Sequence, residues 1–282
     1  MKDQATALRD LMAKMPRVRP APLDGTPTLV IGSGKGGVGK SVLSVLTAGA
    51  LAAEGARVLL VDGDQNLANL HVLLGVQPLA RLETLLHGDG DPADLVVPVR
   101  DGLWLLPADS GAESLHGTTP IERARLHHRV STMFADYDAV VVDSGAGIES
   151  VVRICTIAAT SLVLVTLPEP AALTDAYAVL KIVNYQIPAL PVDVMMNRSS
   201  DAEGRDAFEK LQAASLRFLT RDVEYLGAIP DDSHISRTIR SGGSLIDGAL
   251  GGAAAQAVAT ATARWKAMRV PSPDSAMTAA RS

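Results

Sequence analysis

Cysteine is nearly absent from this sequence, since Cys155 is the only one among 282 residues. A single cysteine excludes a disulfide framework within the chain and any metal site built from several cysteines. Its neighbours in "RICTIAAT" are apolar, so we expect a buried structural thiol. A domain held by internal disulfides and a cysteine-rich metal site within one chain are therefore excluded.

The sequence also lacks an excess of basic residues and any long apolar segment. Lysine and arginine number 26 against 31 acidic residues, a net charge of −5. This balance argues against sequence-specific nucleic-acid binding, although weak contact through a local patch stays open. No run of about 18 uncharged apolar residues occurs, and "MKDQATALRDLMAK" lacks the apolar core of a signal peptide. We expect a cytoplasmic protein, with peripheral contact at the inner face of the cell membrane left open.

A glycine-rich segment, "GKGGVGKS", is the strongest motif present. It lies between Thr28–Ser33, which predicts a buried strand, and Val42–Ala53, which predicts a helix. The segment Gly34–Ser41, called the phosphate loop below, fits G-x-x-x-x-G-K-[ST], in which backbone amides and a helix N-terminus surround phosphate oxygens. Lys40 is then expected to contact the β- and γ-phosphates and Ser41 to hold Mg²⁺. The alternative is a glycine-rich turn without a ligand.

Strand and helix patterns alternate along most of the chain, and 47% of the residues are hydrophobic. This allows one α/β domain of about 240 residues. The order predicts a doubly wound, mostly parallel sheet flanked by helices, with ligands at the carboxyl ends of the strands. The further predicted strands are Arg57–Asp62, Leu103–Leu106, Ala139–Asp143, Ser161–Leu167, Val192–Met196 and Tyr225–Ile229, and the further helices are Ile121–Ala135, Ser150–Ala158, Ala172–Tyr185, Asp201–Leu219 and Ser233–Ser241.

Short segments flank the predicted domain on both sides. Arg17–Pro27 is rich in proline and is expected to be a linker that follows a short N-terminal helix. Val270–Ser282 has the composition of a disordered tail. We therefore expect a helix and linker over residues 1–27, the nucleotide-binding domain over 28–269 and a tail over 270–282.

Three aspartates follow predicted strands at the edge where the phosphate loop lies. Asp62 and Asp64 end the second strand, and Asp143 ends the strand "AVVVD". Mg²⁺ takes few protein ligands and keeps several waters, so these carboxylates suit a metal site. Asp64 is placed to orient the water that attacks the γ-phosphate. The alternative is that each aspartate only caps its own loop.

The segment "MMNRSS" follows another predicted strand. Asn197 carries an amide that can pair with N6 and N7 of adenine. No N-K-x-D motif for guanine is present in the sequence, so we expect ATP rather than GTP as the cofactor, together with Mg²⁺. The alternative is that Asn197 and Arg198 begin an ordinary loop.

These segments together resemble the MinD/ParA family of deviant Walker-A ATPases. The resemblance rests on "GKGGVGKS", "LLVDGDQNLANLHVLLG", "VVVDSGAGI", "MMNRSS" and "YLGAIPDDSHISRTIRSG", and it covers roughly residues 28–247. Within the family, "NLANLHVLLG", "LPEPAALTDAYAVLK" and "DQATALRDLM" are similar to segments of the flagellar-number regulators FlhG and FleN. The resemblance implies a P-loop NTPase fold and a slow, Mg²⁺-dependent ATPase that works as a switch.

The resemblance also implies roles for individual residues. Lys35 is the signature lysine, which would cross a homodimer formed with ATP and contact the partner's phosphates, as an arginine finger does. The implied catalytic residues are Lys35, Lys40 and Asp64. The implied nucleotide-binding residues are Gly34, Lys35, Gly36, Gly37, Val38, Gly39, Lys40, Ser41, Asn197, Arg198, Pro230 and Asp231, and the implied metal-site residues are Ser41, Asp62 and Asp143.

The N-terminal segment Asp3–Met15 predicts a protein partner. Its apolar residues fall on one face of a helix too short to be stable alone, so it either docks on its own domain or folds on a partner. The resemblance implies that this partner is the signal-recognition-type GTPase FlhF, and that a flagellar transcription regulator or C-ring protein is a further partner. The residues implied in the contact with FlhF are Asp3, Gln4, Leu8 and Arg9.

Three features depart from the family pattern. Asn66 stands where a glycine is usual, and asparagine tolerates positive φ best among the other residues. His71 stands where aspartate is common and is interpreted as a surface residue. The segment Gly251–Val270 is rich in alanine. It is either a final helix packed on the domain or a membrane-binding helix, anchored by Trp265, Met268 and Val270, in which Arg264, Lys266 and Arg269 attract anionic lipid.

Two functions therefore remain open from the sequence. One is an ATP-dependent switch that regulates flagellar number or placement through the GTPase, and the N-terminal segment favours it. The other is a ParA-like ATPase that positions DNA or protein cargo, which the acidic net charge disfavours. A metallocluster-transfer ATPase would share the phosphate loop but needs a Cys-x-x-Cys that the sequence lacks.

Overall fold

The computed structural model describes residues 25–64, 69–78, 91–107, 132–249 and 251–269. Within these ranges the strands are β1 Thr28–Gly32, β2 Val58–Gly63, β3 Val97–Arg100, β4 Leu103–Leu106, β5 Ala139–Ser144, β6 Ser161–Thr166, β7 Val192–Asn197 and β8 Glu224–Ile229. The α-helices are α1 Lys40–Ala53, α2 Leu70–Leu74, α3 Ile148–Ala158, α4 Pro170–Gln186, α5 Asp201–Leu219, α6 Ser233–Arg240, α7 Leu245–Gly248 and α8 Ala253–Arg269. Pro92–Leu95 and Phe134–Asp136 form short 3₁₀ helices.

The strands form one sheet in the order β3-β4-β2-β5-β1-β6-β7-β8. Every pair is parallel except β3 with β4. The predicted doubly wound, mostly parallel sheet is therefore confirmed. Strand β3 was not predicted, because it is a four-residue edge strand that contains Pro98 and is only partly buried.

Strand β1 shows how the sheet separates two hydrophobic cores. Leu29 and Ile31 pack on one face, against α1 and α8, and Val30 packs on the other. This alternation is the period of two that a strand imposes on its side chains. Both faces are apolar because helices cover both, which explains why the strands are nearly continuous hydrophobic runs.

Most element boundaries agree with the predictions to within two residues. Helix α5 has the predicted bounds, and a capping box starts it: the Ser200 hydroxyl accepts the Glu203 amide at 3.4 Å, and the Ser200 amide donates to Glu203 Oε2 at 3.1 Å. The short helices α2 and α7 were not predicted. Most of the predicted helix Ile121–Ala135, the N-terminal helix, the linker and the tail lie outside the described residues.

The C-terminal helix α8 packs on the domain rather than standing apart from it. Trp265 is 1% exposed, and its Nε1 donates to Ser161 Oγ at 2.9 Å. The basic side chains of α8 bind within the domain as well: Arg264 donates to the carbonyls of Tyr225 and Leu226, Lys266 pairs with Glu54 at 2.7 Å, and Arg269 Nε donates to Asp193 at 3.2 Å. The residues proposed for membrane anchoring and lipid attraction are thus largely used in packing. Among the described residues, the helices are too short or too polar to cross a membrane.

We predict that Trp265→Ala lowers the free energy of unfolding by about 3–5 kcal/mol, because it leaves a cavity between α8 and the sheet. Urea denaturation followed by circular dichroism would measure the loss. The control is Met268→Ala on the same helix, where the side chain is 39% exposed and the expected change is within about 0.5 kcal/mol. Equal effects of the two substitutions would contradict the packing of α8.

Candidate nucleotide site

The phosphate loop connects β1 at the centre of the sheet to the N-terminus of α1. Gly39 has φ of 91°, a left-handed conformation that favours glycine, and its carbonyl accepts the first helical bond from the Leu43 amide at 3.1 Å. The buried Ser33 hydroxyl donates to the carbonyl of Lys35 at 2.9 Å. One hydrogen bond at each end therefore holds the backbone of the phosphate loop in place.

The two lysines of the loop occupy different environments. Lys40 is 7% exposed, and its Nζ lies 3.1 Å from Asp143 Oδ1. Lys35 is exposed on the loop. Lys40 lies in the interior beside a carboxylate, whereas Lys35 is exposed. Of the two, Lys35 is therefore the one placed to contact a second protein molecule.

Asp143, at the end of β5, is the centre of the buried polar group. Its Oδ1 accepts from Lys40 and from the Ser44 hydroxyl at 3.0 Å. Burial raises the pKa of Asp143, while the charge of Lys40 and the hydrogen bonds from Lys40 and Ser44 oppose the rise. Ser44 was missed by sequence reasoning, although its spacing of four residues from Lys40 places both on one face of α1.

Asp62 lies directly beside Asp143, because β2 and β5 pair in a register that opposes the two residues. Its oxygens accept the amides of Asp64 at 3.1 Å and Leu70 at 3.2 Å. Burial raises the pKa of Asp62 to about 7; the two amides oppose the rise, and the charges of Asp143 and Asp64 add to it. The predicted proximity of Asp62, Asp64 and Asp143 is thus present in the structure.

These residues fit a magnesium ion that is held partly through water. Asp143 Oδ2 is buried and has no hydrogen-bond partner among the described residues, which is costly unless a ligand supplies one. Ser41, Asp62 and Asp143 offer only oxygen donors, the type that Mg²⁺ prefers. In the described part of the chain, no group of three or more histidine, cysteine, aspartate or glutamate side chains could hold a metal. Nucleotide phosphates and water would therefore complete the coordination of Mg²⁺.

The segment after β5 packs against the phosphate loop. The Gly147 amide donates to the carbonyl of Ser33 at 3.2 Å. A Cβ atom placed on Gly36 would lie 3.7 Å from that of Ala146, and one placed on Gly145 would lie 3.4 Å from Asp64 Oδ1. The half-buried Asp64 therefore faces the same space as the two loops.

The residues predicted to frame adenine lie where β7 and β8 end. Asn197 is 7% exposed, and its Nδ2 donates to the carbonyl of Val38 at 2.7 Å, a contact that the sequence did not predict. Arg198 is exposed and has φ of 51°, which is unusual for a residue other than glycine. Because Asn197 pairs with Ile229, the half-buried Pro230 and the exposed Asp231 follow at the same edge.

Asp232 is a structural residue of this region that sequence reasoning missed. Its Oδ1 accepts the amide of His234 at 2.8 Å, and its Oδ2 accepts the amide of Ala254 at 3.1 Å. One carboxylate thus joins the N-termini of α6 and α8. Partial burial raises its pKa, but the amide hydrogen bonds outweigh burial and the net pKa is lowered. An aspartate just before a helical pattern was the available signal.

The remaining residues singled out in the sequence lie away from the nucleotide site or outside the described residues. His71 is half-exposed in α2, in agreement with its interpretation as a surface residue. Asn66 and the partner-binding residues Asp3, Gln4, Leu8 and Arg9 lie outside the described residues. The buried thiol of Cys155 is confirmed, and burial raises its pKa far above the ordinary value.

The raised pKa of Asp62 predicts a pH-dependent stability. Folding raises the pKa from 3.8 to about 7, so the folded state favours the protonated form. The contribution of Asp62 to stability is therefore present below about pH 4 and is lost as the pH rises through about 7. In EDTA and without nucleotide, the difference in unfolding free energy between wild type and Asp62→Asn should fall over this range, by at most about 1.4 kcal/mol per pH unit. Urea titrations at each pH would measure this difference.

The control is Asp94→Asn, at an exposed position, which should keep the wild-type pH dependence of stability. A difference between wild type and Asp62→Asn that stays constant with pH would contradict the raised pKa of Asp62.

Comparisons with known proteins agree with this geometry. The profile of the CobQ/CobB/MinD/ParA nucleotide binding domain matches residues 29–245. The antiactivator FleN of Pseudomonas aeruginosa is 37% identical over 75% of this chain and 76% of its own length. The flagellum site-determining protein YlxH of Helicobacter pylori is 34% identical over 85% of this chain and 82% of its own.

This chain is also similar to a solved structure that contains a bound nucleotide. The septum site-determining protein MinD of Pyrococcus horikoshii, complexed with Mg-ADP, superimposes with a TM-score of 0.69 at 26% identity, covering 85% of this chain and 95% of that one. The chain therefore belongs to the CobQ/CobB/MinD/ParA nucleotide-binding family and is an ATPase of the MinD/ParA type.

Proposed function

We propose that this chain is an ATP-dependent switch that dimerises and regulates the number or placement of flagella, acting through an FlhF-type GTPase. The likeness to FleN and YlxH over most of the chain supports the flagellar assignment. The observation that carries the switch is the contrast between buried Lys40 and exposed Lys35 on one loop. A cation delivered from a second subunit makes hydrolysis depend on assembly.

In this proposal each residue of the site has one task. Lys40 and Ser41 bind the phosphates and Mg²⁺, which neutralises phosphate charge when bound. Asp62 and Asp143 would hold Mg²⁺ together with Ser41, and Asp64 orients the attacking water. Lys35 of each subunit contacts the nucleotide of the other. The amides of Gly34, Gly36, Gly37, Val38 and Gly39 surround the phosphates, while Asn197, Arg198, Pro230 and Asp231 frame adenine.

The partner contacts of the proposal involve a different part of the chain. Asp3, Gln4, Leu8 and Arg9 bind the GTPase, with Gln4 supplying a polar group to its catalytic site and Leu8 an apolar anchor. FleN is described as an antiactivator, which supports a transcription regulator as a further partner here. A flagellar C-ring protein is the other candidate.

Substitution of the two lysines tests the switch. Lys40→Ala should weaken ATP binding by about 10- to 150-fold, because it removes a charged hydrogen bond to phosphate worth about 1.5–3 kcal/mol. Lys35→Ala should keep ATP binding and lose ATP-dependent dimerisation. Fluorescent-nucleotide titration measures binding, and light scattering after gel filtration measures the dimer.

The matched control is Lys181→Ala on α4, which lies outside the phosphate loop and should change neither binding nor dimerisation. If Lys35→Ala and Lys40→Ala lose binding equally, Lys35 acts within its own subunit and the switch proposed here fails.

The partner assignment is tested with the full-length protein. The chain should stimulate GTP hydrolysis by the cognate FlhF-type GTPase, and Gln4→Ala should abolish the stimulation while leaving ATP turnover unchanged. Release of phosphate from each nucleotide gives the readout. Gln256→Ala, at an exposed position on α8, should stimulate as the wild type does. A wild-type chain without any effect on the GTPase would favour the partition alternative.

A further inference from the structure

The hydroxyl of Ser44 lies between two acceptors and has one proton to donate. Its Oγ is 3.0 Å from Asp143 Oδ1 and 3.1 Å from the carbonyl oxygen of Lys40, one turn earlier in α1. A hydroxyl donates a single hydrogen bond, so Ser44 satisfies one of these acceptors at a time. The side chain is fully buried. This hydroxyl can therefore turn between a bond within its own helix and a bond to the end of β5.

Lys40 is the stronger of the two donors to Asp143 Oδ1. Its Nζ lies 3.1 Å from that oxygen, and the two side chains are 7% and 1% exposed. A hydrogen bond between charged groups is about twice as strong as one between neutral groups. As long as Lys40 holds the carboxylate, the hydroxyl of Ser44 can instead donate to the carbonyl of Lys40 within α1.

Phosphates compete with Asp143 for the ammonium group of Lys40. In the proposed function this ammonium contacts the phosphate chain, which carries more negative charge than one carboxylate and forms charge-assisted hydrogen bonds. When Lys40 turns to the phosphates, Asp143 loses its counter-charge, and a buried carboxylate without one is strongly unfavourable. Ser44 then remains as a donor to Asp143 Oδ1, and a cation is needed at Oδ2, which has no described partner.

We propose that Ser44 is a positioning residue of the ATPase, whose hydroxyl takes over Asp143 Oδ1 when Lys40 moves to the phosphates and so keeps Oδ2 directed at the metal. This inference rests on the proposed roles of Lys40 and Asp143. A carboxylate that is held at one oxygen keeps the direction of the other. Binding of nucleotide and binding of Mg²⁺ are then coupled, because the phosphates withdraw one cation from Asp143 and a second cation restores the balance of charge.

The alternative is that Ser44 only packs α1 against β5. The chain offers a matched control on the same helix, because Thr47 is 1% exposed and its Oγ1 has no hydrogen-bond partner among the described residues. Replacing Thr47 by valine keeps the shape of the side chain and removes a hydroxyl that donates to none of the site residues. A comparison of the two positions therefore separates positioning of Asp143 from the packing of α1.

The test uses Ser44→Ala in the full-length protein. Without nucleotide, its urea unfolding midpoint should stay close to that of the wild type, because Lys40 still holds Asp143. Its affinity for Mg-ADP should fall by about 10- to 150-fold, since the lost hydrogen bond goes to a charged group. The Mg²⁺ concentration that gives half-maximal ATP hydrolysis should rise, and excess Mg²⁺ should restore the rate. Titration with a fluorescent ADP analogue measures the affinity.

Two variants serve as references for Ser44→Ala. Ser44→Cys keeps a weak donor at the same position, so its Mg-ADP affinity should lie between those of the wild type and Ser44→Ala. Thr47→Val should keep the wild-type Mg-ADP affinity and the wild-type requirement for Mg²⁺.

Asp143→Asn tests the exchange of partners directly. It removes the charge that competes with phosphate for Lys40 and leaves a buried ammonium group without a counter-charge. In EDTA, ADP should therefore bind about 10-fold or more tightly than to the wild type. With Mg²⁺ present the order should reverse, because the variant lacks a carboxylate for the metal. Thermal unfolding of each variant shows whether the fold is retained.

Three results would overturn the proposal. The first is a Ser44→Ala variant that unfolds at a lower urea concentration but keeps the wild-type Mg-ADP affinity, since Ser44 would then act in packing alone. The second is an Asp143→Asn variant that binds ADP more weakly than the wild type in EDTA as well as in Mg²⁺. The third is a Lys40→Ala variant with wild-type affinity, which would also remove the proposed role of Lys40. If Lys40→Ala loses affinity and Ser44→Ala does not, the role of Lys40 stands and that of Ser44 fails.

Discussion

A buried ion pair between Lys40 and Asp143 connects the phosphate loop to the middle of the sheet. Both side chains lie almost wholly out of water, so each depends on the other: removing one partner of such a pair typically costs about 3–5 kcal/mol. Ser44 shares the same carboxylate oxygen, which holds the first turns of α1 against β5. The other oxygen of Asp143 stays without a described partner. The interaction thus fixes the position of the loop and leaves one acceptor ready for a ligand at the same point.

The parallel sheet is what brings the remaining groups to this acceptor. Strands β2, β5 and β1 are neighbours, and their register sets Asp62 and Ile31 on either side of Asp143. Because all three run in one direction, their carboxyl ends and the loops that follow meet at one edge. Burial raises the pKa of Asp62, and the charges of Asp143 and Asp64 add to the rise. A divalent cation is the ordinary way to relieve such crowding of carboxylates. The site is therefore organised for a cation and phosphates before either is bound.

Sequence reasoning succeeded where the signal is local and failed where it depends on long-range contacts. The phosphate loop, the apolar strands and the bounds of α5 follow from motifs, periodicity and capping within a few residues of each other. The sheet-end aspartates were placed correctly because parallel strands share their polarity. By contrast, the bond from Asn197 to Val38 and the bonds from Asp232 to α6 and α8 join residues that no local pattern relates. Strand β3 was missed for another reason, since four partly buried residues with a proline carry little periodicity.

Helix α8 contributes to the site although it contains none of the candidate binding residues. It covers the apolar side of α1, the helix that begins with Lys40 and Ser41, and Asp232 ties its first turn to the segment after β8. A fragment of this chain that keeps water away from the apolar side of α1 must therefore include α8 at least as far as Trp265, its last residue in that core. A shorter fragment would keep every residue of the motif and still expose the hydrophobic face of α1 to water.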